Sequence, residues 1–144
     1  ISPRMFREFM LDPYRKVTSL FHDNGIHLIF VDSDGDSDPL IPLWLEGGVT
    51  GFYPVERASG MDPVALRKQH GRQLRLIGGI DKRAMKAGPA EIDAELAHMA
   101  PVVADGGYIP WCDHLVPPDV PFDHYMYYVR RMKEMTLDPA GFRA

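Results

Sequence analysis

Four short runs rich in β-forming residues alternate with amphipathic stretches along this chain of 144 residues. Each run is followed by apolar side chains at helical spacing. The runs comprise residues 26–31, 49–53, 74–78 and 107–110. Strands and helices that alternate in this way form parallel sheets joined by right-handed crossovers. The sequence therefore predicts an α/β protein built from four βα units.

Proline and glycine residues mark where the predicted helices begin and end. Ser2-Pro3 and Asp62-Pro63 each place an N-cap residue before a proline, a pattern typical of a helix start. Asn24-Gly25 ends the first helix, and Gly71 ends a later one. Pro13 interrupts the first helical pattern, so we expect a kink or two separate helical segments there.

Two architectures accommodate four consecutive βα units. One is a small doubly wound sheet, such as a free-standing flavodoxin-like domain that binds a phosphorylated ligand. The other is part of a (β/α)₈ barrel, which is the fold we expect. A dinucleotide-binding sheet is disfavoured, because neither Asp32-Ser33-Asp34-Gly35 nor Gly78-Gly79-Ile80-Asp81 has the GxGxxG spacing.

Composition excludes several classes of partner. A formal net charge of −4 provides no basic surface, so nucleic acid is not expected as a partner. No apolar run approaches the roughly 20 residues that cross a bilayer, so no membrane association is expected. A single cysteine, Cys112, excludes an internal disulfide and favours a reducing, cytoplasmic setting.

Polar side chains follow each of the four predicted strands. In a parallel α/β protein these strand ends share one rim, where ligands bind. We expect His114 to be catalytic, because it begins a proline-rich loop where its imidazole could transfer a proton to or from a small-molecule substrate. The candidate substrate-binding residues are Asp32, Asp34, Glu56, Asp81 and Asp113.

Each of these residues also has a structural interpretation. The aspartates of residues 32–38 could serve only as turn formers. Asp81 could cap the helix that follows it, and Glu56 could pair with Arg57 or with a neighbouring strand end. Cys112 could be a packed small hydrophobic side chain.

Several motifs in these segments resemble the uroporphyrinogen decarboxylase superfamily. This superfamily includes decarboxylases of haem biosynthesis and methylcobalamin-dependent methyltransferases. The resemblance implies that residues 1–144 are the C-terminal half of a (β/α)₈ barrel, with the N-terminal half absent. The motifs are Gly51-Phe52-Tyr53-Pro54-Val55-Glu56, Gly60-Met61-Asp62-Pro63, Leu76-Ile77-Gly78-Gly79-Ile80-Asp81, Gly106-Gly107-Tyr108-Ile109-Pro110 and 113–121.

The decarboxylase branch of the superfamily implies a role for His114. Its members carry a histidine between two glycines after the final strand, facing the porphyrinogen, and need no cofactor. His114 matches that position, although Asp113 and Leu115 replace the glycines. The aspartate and arginine that bind substrate in these decarboxylases lie in the N-terminal half. The resemblance therefore implies an activity on a tetrapyrrole that this half alone does not account for.

The methyltransferase branch implies a different site. Its members bind zinc through His-x-Cys after the fifth strand and a cysteine after the eighth, and act on a corrinoid. Here Asp32 and Asp34 occupy the His-x-Cys positions, while Cys112 falls near the last ligand. Two carboxylates and one thiolate would be an unusual zinc site, so a harder metal or no metal is an equal alternative.

Half a barrel would have unsatisfied surfaces. Two sheet edges would lack partner strands, and the apolar inner face would be exposed, which favours association. We therefore expect a homo-oligomer, or a complex with the missing barrel half. In that case the isolated chain is an inactive fragment, and its polar rim has no chemical role by itself.

Overall fold

The computed structural model describes residues 1–144 and contains one parallel four-stranded sheet. The strands are β1 (Phe30–Asp32), β2 (Gly51–Tyr53), β3 (Arg75–Ile80) and β4 (Tyr108–Cys112). The helices are α1 (Pro3–Phe9), α2 (Leu11–Asp23), α3 (Ile41–Glu46), α4 (Pro63–His70), α5 (Lys82–Ala87), α6 (Pro89–Asp105) and α7 (Phe122–Leu137). Single 3₁₀ turns occupy Asp38–Leu40, Arg57–Ser59 and Gly71–Gln73. None of the helices combines the length and apolar character that a membrane crossing requires.

Both helix starts that were predicted from a cap residue followed by proline are confirmed. The Ser2 hydroxyl accepts a hydrogen bond from the backbone of Met5 at the start of α1, and Asp62 caps α4. The first helical region is divided in two, as predicted, but the division falls at Met10. Pro13 lies in the first turn of α2, where its missing N–H removes no hydrogen bond from the helix.

The order of the strands decides between the two architectures. Neighbouring strands in the sheet follow chain order, β1-β2-β3-β4, and every pair is parallel. Right-handed crossovers in a sheet of sequential order place all the connecting helices on one face. A doubly wound sheet needs a reversal of strand order, so the flavodoxin-like alternative is wrong. The fold is α/β and forms part of a (β/α)₈ barrel.

One face of the sheet is buried by helices, whereas the other lacks a covering layer. Phe52 and Leu76 pair across β2 and β3 and are almost completely buried in the apolar core. Side chains alternate between faces along a strand, so Ile109 and Trp111 on β4 point the opposite way. Both are 56% exposed. The sheet therefore presents an uncovered apolar surface on the side that faces the interior of a complete barrel.

Two strands end later in the chain than predicted, because they pair with each other beyond the predicted ends. Gly79 pairs with Trp111, and Ile80 pairs with Cys112. These pairs extend β3 and β4 beyond the ends predicted at Gly78 and Pro110. At the other side of the sheet, β1 begins four residues later than predicted, at Phe30.

Ion pairs on the surface predict a dependence of stability on pH. Hydrogen bonds from Arg7 lower the pKa of Glu46, and those from Arg72 lower the pKa of Asp105. A lowered folded-state pKa adds stability above the unfolded-state pKa, and this stability is lost as pH falls through the folded-state pKa. We therefore expect the melting temperature to fall from about pH 5 to about pH 3. Thermal unfolding of the Glu46→Gln variant should show a shallower decrease than the parent; equal slopes would contradict the assignment to Glu46.

Candidate functional site

The carboxyl ends of all four strands lie along one edge of the sheet. This follows from the parallel pairing of every strand with its neighbour. Backbone contacts continue beyond the strands: Ser33 donates to the carbonyl of Tyr53 at 3.0 Å, and Asp113 donates to the carbonyl of Ile80 at 2.8 Å. The loops that carry the predicted polar residues are therefore held side by side.

His114 and Asp34 meet across a small polar cleft at this edge. The Nε2 atom of His114 lies 3.6 Å from Oδ1 of Asp34, a distance that gives an ion pair when the imidazole is protonated. The cleft has a volume of about 250 Å³. Its lining consists of Asp32, Asp34, Tyr53, Pro54, His114 and Leu115. The structure thus brings together the predicted catalytic histidine and two predicted substrate-binding carboxylates.

An apolar cleft of about 310 Å³ adjoins the polar one. Tyr53, His114 and Leu115 border both clefts. The rest of the apolar lining comes from β4, from the loop after it and from α7: Trp111, Cys112, Val116, Tyr125, Tyr128, Val129 and Met132. The imidazole of His114 therefore lies between a carboxylate-lined surface and an apolar surface, an arrangement suited to a ligand with both polar and apolar parts.

Glu56 links the ends of two strands. Its carboxylate accepts a hydrogen bond from the backbone N–H of Gly35, in the loop after β1, at 2.8 Å. The alternative in which Glu56 contacts a neighbouring strand end is therefore confirmed. Arg57 pairs elsewhere, with Asp62 at 2.9 Å and Glu95 at 3.4 Å. Contact of Glu56 with a substrate stays a prediction.

Asp81 caps α5, as its structural interpretation predicted. Its carboxylate accepts hydrogen bonds from the backbone and the guanidinium of Arg83, the latter at 2.7 Å. Burial by itself raises the pKa of Asp81, but the hydrogen bonds from Arg83 outweigh it and the net shift is downward. The side chain is thus an ionised cap, and a role for it in substrate binding stays a prediction.

Asp113 lines neither cleft. Its side chain is completely buried, and Lys82 contacts the carboxylate at 3.2 Å. Because no part of this carboxylate is exposed, a substrate in the cleft would contact His114 and not Asp113. Direct substrate binding by Asp113 is the one predicted role that this burial disfavours.

The sequence of the chain was compared with known families and proteins. The profile of the family described as Uroporphyrinogen decarboxylase (URO-D) matches residues 1–135. The chain belongs to this family. No curated protein matches the chain. The match spans all four strands and the whole of both clefts, so the parallel sheet is part of the barrel of a URO-D family member.

The zinc site of the methyltransferase branch does not fit the geometry of this URO-D family chain. No three His, Cys, Asp or Glu side chains anywhere in it are placed to hold a metal ion together. Cys112 is buried in the core, and burial raises the pKa of its thiol, which disfavours the thiolate that binds metal. Asp32 and Asp34 instead line the polar cleft. Asp32, Asp34 and Cys112 are therefore not arranged as a three-donor group in this structure, and metal binding by them stays a prediction.

Two residues that border both clefts were missed in the sequence. Tyr53 is the last residue of β2 and borders both clefts, and Leu115 follows His114. Tyr53 could have been found from the alternation along its strand, because it shares the inner face with Gly51. No comparable signal marks Leu115, which lies in a loop.

Proposed function

We propose that this chain forms part of a decarboxylase-type active site for a tetrapyrrole, with His114 as the proton donor. The observation that carries the proposal is the position of the His114 imidazole beside Asp34, in a cleft at the carboxyl ends of the strands. Membership of the URO-D family supports the reaction type. The single cysteine, which forms no disulfide, supports a cytoplasmic setting.

The proposed step needs a proton at a carbon atom. When the bond between a pyrrole side-chain carbon and its carboxylate breaks, CO₂ leaves and the electron pair remains on the substrate. A protonated imidazole donates the proton that quenches this charge, and the neutral imidazole regains a proton from water. His114 is 43% exposed and borders the cleft, so it is accessible for both transfers.

Asp32 and Asp34 would select which part of the substrate enters this cleft. Carboxylates accept hydrogen bonds from N–H groups and repel acidic arms. The cationic side chains nearby are already paired: Arg57 with Asp62, Lys82 with Asp113 and Arg83 with Asp81. We therefore propose that pyrrole N–H groups face the two aspartates, and that cations outside this sheet bind the acidic arms.

The deciding experiment compares two reactions in a protein that carries both barrel halves. We expect release of CO₂ from uroporphyrinogen and no methyl transfer from a methylcorrinoid. Methyl transfer without CO₂ release would overturn the proposal and favour the methyltransferase alternative. Elemental analysis of the same sample provides an independent readout, because bound zinc would contradict the geometry of the donor side chains.

A second proposal concerns assembly, because the four strands leave the sheet open. β1 and β4 each have only one neighbouring strand. An apolar cleft lies along each free edge: one of about 420 Å³ between α2 and β1, and the other between β4 and α7. We propose that a second copy of the chain pairs its β4 with β1, and its β1 with β4. This arrangement would close eight parallel strands, the number whose interior side chains just fill.

The assembly proposal predicts the mass of the purified chain in solution. We expect light scattering to give at least twice the chain mass of 16.3 kDa. Replacing Trp111 with glutamate should shift the chain toward monomer, because it places a charge on the inner apolar face. A matched control is Leu137→Glu at the end of α7, which is 86% exposed and outside both clefts. A parent chain that stays monomeric at high concentration would contradict the proposal.

A further inference from the structure

The carboxylate of Asp113 is the most completely enclosed charged group at the strand ends. Its side chain is 0% exposed. Oδ2 accepts a hydrogen bond from the backbone N–H of Arg57 at 2.9 Å, and Oδ1 accepts one from the backbone N–H of Lys82 at 3.2 Å. The Lys82 ammonium lies 3.2 and 3.3 Å from the two oxygens. Both oxygens are therefore fully occupied by donors from the protein.

These donors belong to different strand ends. Arg57 begins the 3₁₀ turn that follows β2, and Lys82 is the first residue of α5, after β3. Asp113 itself follows β4, and its backbone N–H donates to the carbonyl of Ile80 at 2.8 Å. One carboxylate thus joins the ends of three neighbouring strands, at sequence separations of 56 and 31 residues.

His114 is the residue immediately after this junction. Beyond it the chain turns outward, and Leu115 is 83% exposed. The next side-chain ion pair between this loop and another element is that of Asp119 with Lys86. Asp113 is therefore the last firmly held point before the imidazole, and small displacements of its backbone would move His114 relative to Asp34.

We propose that Asp113 is a positioning residue, which holds His114 beside Asp34 by clamping the ends of β2, β3 and β4 together. Its effect on the reaction rests on the proposed function of His114, whereas its effect on geometry does not. The role differs from substrate binding, because the carboxylate of Asp113 does not contact the substrate. It fixes the backbone that carries His114.

Amide hydrogen exchange tests the clamp directly. In Asp113→Asn the amides of Arg57 and Lys82 lose a charged acceptor, so we expect them to exchange about tenfold faster or more. Glu56→Gln is the matched control, because it weakens the acceptor of Gly35 in the loop after β1 and leaves Asp113 unchanged. That variant should speed exchange at Gly35 but not at Arg57 or Lys82. Unchanged exchange at both amides in Asp113→Asn would overturn the proposal.

A second variant covers the case in which the single substitution does not fold. Asp113→Asn alone leaves the Lys82 ammonium without its buried partner, which is strongly destabilising. Combining it with Lys82→Met removes both charges together. We expect this double variant to fold and still to show fast exchange at Arg57. Slow exchange at Arg57 in a folded double variant would contradict the clamp.

Kinetics of the protein with both barrel halves separate positioning from a purely structural role. A displaced His114 should lower kcat about a hundredfold while KM changes little, since misplacement of about 1 Å has effects of this size. An equal fall in kcat and in the folded fraction would assign Asp113 to stability alone and overturn the proposal. If amide exchange changes as expected but neither the parent nor the Asp113→Asn variant releases CO₂, the proposed function is wrong. The proposed positioning role of Asp113 is then still supported.

Discussion

Replacing His114 with asparagine is expected to lower the rate of CO₂ release about 10²- to 10⁴-fold in a protein that carries both barrel halves. Asparagine keeps a polar side chain but cannot donate a proton as an acid. Because His114 is 43% exposed, the substitution should leave the melting temperature nearly unchanged. Single-turnover release of CO₂ from uroporphyrinogen measures the chemical step directly.

His22 provides a matched control for this prediction. It lies in the last turn of α2, at the opposite end of β1 from the cleft, and its side chain contacts that of His27. The His22→Asn variant should therefore release CO₂ at the parent rate. If His114→Asn retained more than about a tenth of the parent rate, another group would have to supply the proton.

Replacing Gly78 with alanine is expected to destabilise the chain by at least about 3 kcal/mol. Gly78 has φ +96°, a conformation that alanine adopts only with strain. A Cβ atom at this position would also overlap the carbonyl group of Pro54, which is backbone and cannot rotate away. The backbone strain and the steric overlap both occur where β3 contacts the segment after β2, close to the cleft. Urea unfolding measures the change in the free energy of unfolding.

Gly60→Ala isolates the steric part of this effect. Gly60 has φ +91°, nearly the same as Gly78, but nothing lies within 4 Å of an added Cβ atom. We therefore expect this variant to lower the free energy of unfolding by only the conformational strain, about 1 kcal/mol. Equal destabilisation by the two substitutions would show that the close approach of Pro54 does not constrain Gly78.

The location of the candidate site was predictable from local patterns. Alternating runs predicted four parallel strands, and parallel strands end at one edge. His114, Asp34 and Asp32 could therefore be assigned to one site without any knowledge of contacts. Helix starts such as Ser2-Pro3 were equally accessible, because a cap depends on residues only a few positions apart.

The roles of individual residues at that edge were not predictable in the same way. Glu56, Asp81 and Asp113 resemble Asp34 in chemistry and in position after a strand. Their partners are set by packing: Glu56 contacts Gly35, 21 residues away, and Asp113 contacts Arg57, 56 residues away. Such long-range contacts decide whether a carboxylate is buried or faces a ligand, and no local pattern encodes them.

The sequence by itself determined the α/β class, the number of strands and the edge at which the candidate site lies, because periodicity and capping are properties of neighbouring residues. Only the tertiary structure decided that the sheet is singly wound and that Cys112 is a core residue. It also decided that Asp113 is buried while His114 lines the cleft. These outcomes depend on which strands pair and which side chains are desolvated. Both are settled by contacts between residues far apart in the chain.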